Sequence, residues 1–98
     1  MGRQNDPASG GRCMKHATAA SLDRMDDLLR QIRTLGVLRE KKRGVFYRGG
    51  RAALHFHEDA AGMFADLRLG GDWERLAVNT ASERALLLRR ISMPAGTT

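Results

Sequence analysis

Cysteine is nearly absent from this 98-residue chain: Cys13 stands alone in a polar stretch. No internal disulfide and no cysteine-based zinc cluster can therefore form. Long hydrophobic runs are also missing. No stretch is long enough to span a bilayer, and the first 20 residues mix Arg3, Asp6, Arg12 and Lys15 with Gly and Ser, without an apolar leader core. No membrane partner and a cytoplasmic location are the resulting expectations. Neither phosphate cradle, G-x-x-x-x-G-K-[ST] or G-x-G-x-x-G, occurs among the glycines, and no internal repeat is visible.

What is present suits one domain with one modest core, since 42% of the residues are hydrophobic. The net charge of +6 is unevenly spread: residues 39–51 carry +5, whereas residues 52–82 sum to −3. Such a dipole suits an acidic partner, nucleic acid or an anionic protein surface, and also an ordinary solvated patch.

Residues 1–20 have no hydrophobic periodicity and are expected to be a flexible tail, ahead of a single α+β domain over 21–93 and a disordered end over 94–98. From Ser21, read as the N-cap, Leu22, Met25, Leu28, Leu29, Ile32 and Leu35 recur at helical spacing up to a stop at Gly36. A basic linker follows. Gly49-Gly50 then marks a tight hairpin that sets Val45 opposite Leu54 and Tyr47 opposite Ala52. A loop at 59–62 pairs Phe56 with Ala65 and Leu54 with Leu67, and a third at 70–73 pairs Leu67 with Leu76 and Ala65 with Val78. Thr80-Ala81-Ser82-Glu83 is a capping box that opens a second helix, closed by Pro94 and Gly96. The expected fold is a four-stranded antiparallel meander sheet with an N-terminal and a C-terminal helix packed on one face.

Strand alternation then gathers Phe46, Arg48, His55, His57, Phe64, Asp66 and Arg68 on the uncovered face, with His55 opposite Asp66 and His57 opposite Phe64. Two histidines at i and i+2 on a strand point the same way about 7 Å apart, a span that one divalent ion can bridge. With Asp66, or Asp59, as a third ligand they make a candidate metal site. His55 and Asp66 also have the form of a general base and its orienting carboxylate, but no nucleophile accompanies them: Ser21, Thr34, Thr80, Ser82 and Ser92 are caps or lie on helices or near the C-terminus, and Tyr47 points to the core. The reading therefore leans away from an enzyme. Phenylalanine beside Arg48, Arg51, Arg68 and Arg75 has the outline of a sheet that stacks bases and holds phosphates. Exposed aromatics on an open sheet favour, ahead of nucleic acid, docking of a second copy or another protein. Trp73 reads as a lid at the sheet edge.

Leu35-Gly36-Val37, the run from Gly44 to Ala53 and the acidic hairpin end at Glu58-Asp59 resemble the MmcQ/YjbR-like bacterial domains over roughly residues 22–79. The chain departs from that pattern: no proline precedes Gly36, Gly50-Arg51 replaces Gly-Lys, and the longer C-terminal part has no room. The resemblance implies an α+β fold with DNA binding open to it, and no catalytic residues. The expected function is a small binding domain acting through its open sheet face, as a homo-oligomer or on a protein partner or nucleic acid. The alternative is a metal-binding protein or metal-assisted hydrolase using His55, His57 and Asp66.

Overall fold

The computed structural model describes residues 15–93. The expected tail up to residue 14, with Cys13, and the close at Pro94 and Gly96 lie outside the described residues. The tail boundary at residue 20 is corrected. Lys15–His16 form a short strand β1, and Ala19–Arg24 form helix α1. Thr18 rather than Ser21 is the cap, accepting the Ser21 backbone N–H on its hydroxyl at 3.2 Å. Ser21 is buried instead and donates its hydroxyl to the Glu58 carboxylate.

The expected first helix is interrupted at Met25 (φ −107°, ψ 14°), whose side chain is fully buried, and resumes as α2, Asp26–Leu35. Gly36 ends α2 with a left-handed φ of 72°, as its position implied. Strands β2 (Arg39–Lys42), β3 (Val45–Arg48), β4 (Arg51–Asp59), β5 (Gly62–Leu67) and β6 (Glu74–Ala77) precede helix α3 (Ala81–Ser92). The class is α+β with an antiparallel sheet, in which β2 to β6 neighbour one another in chain order and β1 pairs with β4 off that path. Among the described residues no helix is long and apolar enough to cross a membrane.

The expected four strands are β3 to β6, and β2, whose four residues are all charged, falls in the expected basic linker. Charge is how an edge strand avoids pairing with another chain. Gly49 and Gly50 both take positive φ (59° and 84°), which a two-residue hairpin turn requires. The β4–β5 register is the expected one: Leu54 opposite Leu67, His55 opposite Asp66, Phe56 opposite Ala65 and His57 opposite Phe64.

The β5–β6 register is corrected by two residues, with Ala65 opposite Leu76 and Asp66 opposite Arg75. A shift of two preserves which side chains share a face. It also brings the Arg75 guanidinium onto Asp66, in two bonds of 2.8 and 3.0 Å. At β3–β4, Tyr47 faces Ala52 as expected, but a bulge that makes Ala53 the extra residue of β4 sets Phe46, not Val45, opposite Leu54. Phe46 is thereby fully buried, and its place on the open face is withdrawn. Burying a phenylalanine rather than a valine removes more apolar area from water, which favours the bulged pairing.

One apolar cluster results. It joins Leu22, Met25, Leu28, Leu29 and Ile32 of the N-terminal helices with Leu87 and Ile91 of α3 and with Phe46, Leu54, Phe56, Ala65 and Leu67 of the sheet. Strand alternation turns His55, His57, Phe64 and Asp66 to the face opposite this core.

Candidate functional site

Strand β4 is nine residues long, more than twice the length of β3. Its first half pairs with β3 and its last residues with β1, so two short strands lie end to end along one long one. The β1 pairing sets His16 directly opposite His57. Its continuation is tied down by the Ala17 amide, which donates to the Phe56 carbonyl at 3.1 Å.

The chain contains three histidines, and all three meet here. The His16 and His57 rings stack with centroids 5.0 Å apart, and His55 meets His57 edge-on at 4.6 Å. One ring nitrogen of each residue lies within 4.8 Å of one from each of the others. Trp73 closes over His55 at 4.9 Å, and the Arg68 guanidinium lies 4.4 Å from the centre of the indole.

Asp66 lies beneath the cluster, 7% exposed, gripped by Arg75 and 3.1 Å from Nε2 of His57. Burial opposes its ionisation, yet the Arg75 hydrogen bonds and charge, with His57 and His55 nearby, hold its carboxyl below the usual aspartate range. Burial, and then the neighbouring His57, push His55 below the ordinary imidazole value against the pull of Asp66. His55 is accordingly neutral at pH 7, the form in which an imidazole ligates a metal. Its Nδ1 is buried and has no hydrogen-bond partner among the described residues.

A second constellation adjoins the first. Arg48, Arg51 and Arg68 line a cleft of about 100 Å³ together with the Gly70-Gly71 loop. Arg48 donates to the Leu69 carbonyl at 2.6 Å and Arg68 to the Ala52 carbonyl at 3.0 Å, so backbone fixes both guanidinium groups.

Of the residues expected at the site, His55, His57 and Asp66 come together, Arg48 and Arg68 sit at the adjoining cleft, and Phe64 is half-buried opposite His57. Phe46 is in the core. Asp66 faces Arg75 and His57, and His16 completes the group of candidate ligands. His16 was missed because a two-residue strand carries no periodicity. The available signal was that a chain with only three histidines brings two of them onto one strand face. Compared with protein-family models, curated proteins and solved structures, the chain matches none.

Proposed function

We propose that this chain is a small binding domain whose helices cover one face of the sheet and whose other face takes single-stranded nucleic acid. The observation that carries the reading is the exposed indole of Trp73, with Arg68 against its ring and Arg48 and Arg51 lining the same small cleft as Arg68. An exposed aromatic ring accepts the flat face of a base, and guanidinium groups take the phosphates. The net charge of +6 adds long-range attraction for a polyanion. Burial of Phe46 removes apolar area on which docking of a second copy would depend, while leaving the cations in place.

Trp73 is the only tryptophan, so its fluorescence reports on the site directly. Titration with a short oligonucleotide at low salt is expected to quench that signal, with affinity falling as salt rises. Arg48→Ala and Arg68→Ala should each weaken binding and lower the salt slope by about 1. An unchanged Trp73 signal, or binding indifferent to salt and to both substitutions, refutes nucleic acid as the ligand. If the chain then sediments as a dimer that Trp73→Asp dissociates, the face serves a second copy.

A further inference from the structure

We infer that His16, His55 and His57 form a binding site for one divalent transition-metal ion of the zinc class. Three imidazoles from two paired strands, with one nitrogen from each inside a 4.8 Å span, already approach the donor set of a three-histidine centre. Metal–nitrogen bonds of about 2.0–2.1 Å require ligand nitrogens roughly 3.3 Å apart in a tetrahedral arrangement. Modest ring rotations supply the difference, and the exposed position of His16 leaves room for them. An all-nitrogen set selects zinc, nickel, cobalt or copper over magnesium or calcium, which favour oxygen.

The surroundings have the form of a metal site's supporting layer. Asp66 faces Nε2 of His57 at 3.1 Å and is itself held by two bonds from Arg75. A carboxylate at that distance favours the imidazole proton on Nε2 once the ring turns to meet it, which leaves the lone pair for the ion on Nδ1. This gives Asp66 a positioning role behind the ligand. His55 independently offers a buried Nδ1 with no hydrogen-bond partner among the described residues. A role in packing alone would not explain that nitrogen.

Three protein ligands leave a fourth position for water or an anion. His16 and His55 also line a cleft of about 560 Å³ with Ala17, Leu22, Val45 and Phe56, which gives an incoming ligand access. Because His16 belongs to β1, the ion fastens that short strand to β4.

The test uses the untagged full chain stripped with chelator, titrated with Zn²⁺ by calorimetry and with Co²⁺ by visible absorption. One ion per chain is expected, with the intense bands of four-coordinate cobalt. His16→Ala, at an exposed position on the peripheral strand, should weaken binding at least tenfold. Asp66→Asn should do so by about 10- to 100-fold. Zn²⁺ should also slow exchange of the Ala17 amide. Affinity unchanged in His16→Ala, or cobalt bound with a six-coordinate spectrum that persists in His55→Ala, overturns the site. Neither result bears on the oligonucleotide reading, which rests on Trp73 and the arginine cleft.

Discussion

At the scale of single residues, Phe46 separates the fold from its alternatives. Strict alternation along β3 turns Phe46 outward, whereas the bulge at Ala53 turns it into the core, where it is fully buried opposite Leu54. Nothing in the side chains of Ala52-Ala53 announces which pairing the strand takes, because neither alanine is large enough to bias it. Phe46→Ala should cost about 3–5 kcal/mol, the range for deleting a buried ring. Urea unfolding measures it. A loss under roughly 1 kcal/mol would mean that the ring sits on the solvent side, with no bulge in the pairing.

Among elements, α3 was the most legible because its start is written in side-chain chemistry. Thr80 accepts the Glu83 amide at 3.1 Å, and the Glu83 carboxylate accepts the Thr80 amide at 3.1 Å and the Asn79 amide at 2.8 Å. Thr80→Ala should cost about 1 kcal/mol, a melting-temperature drop of roughly 4–8 °C in a chain of this size. Glu83→Gln, which keeps an acceptor, should cost less in the same melting experiment. Equal losses would show that the carboxylate charge, rather than the hydrogen bonds, holds this end. The β4–β5 pairing was legible for a different reason: a one-residue slip would send Leu54 and Phe56 to the histidine face. At β5–β6 the pattern fixed parity alone, since a slip of two leaves every face unchanged and the Asp66–Arg75 ion pair selects between the two registers. Strands β1 and β2 were illegible, one too short for periodicity and the other fully charged. With β1 went His16, and with it a third of the histidine cluster.

Across the whole molecule, arginine–carboxylate pairs fasten elements that follow one another along the chain: Arg33–Glu40 ties α2 to β2, Asp66–Arg75 ties β5 to β6, and Glu74–Arg90 ties β6 to α3. With 17 Lys and Arg against 11 Asp and Glu, each carboxylate that takes up a proton leaves cations unopposed. Glu40 shows the sign of the effect. The Arg33 hydrogen bond outweighs burial and, with the Gly44 amide donating at 2.9 Å and the charges of Arg33 and Arg43, holds this carboxyl below its ordinary value of about 4.5. The folded chain therefore binds this proton more weakly than the unfolded chain does. Its contribution to stability is complete above about pH 4.5 and is lost as the pH falls through the lower folded value. Both partners are partly solvated, so the contribution is modest and salt should reduce it further. Urea midpoints measured between about pH 3 and pH 6 should fall more steeply with acid for the wild type than for Glu40→Gln, which keeps the shape but has no proton to gain. The two curves should converge at the acid end, where the wild-type carboxyl is itself neutral. Parallel curves across the whole range would mean that Glu40 is as basic in the folded chain as in the unfolded one, and that the Arg33 pair leaves α2 and β2 unlinked.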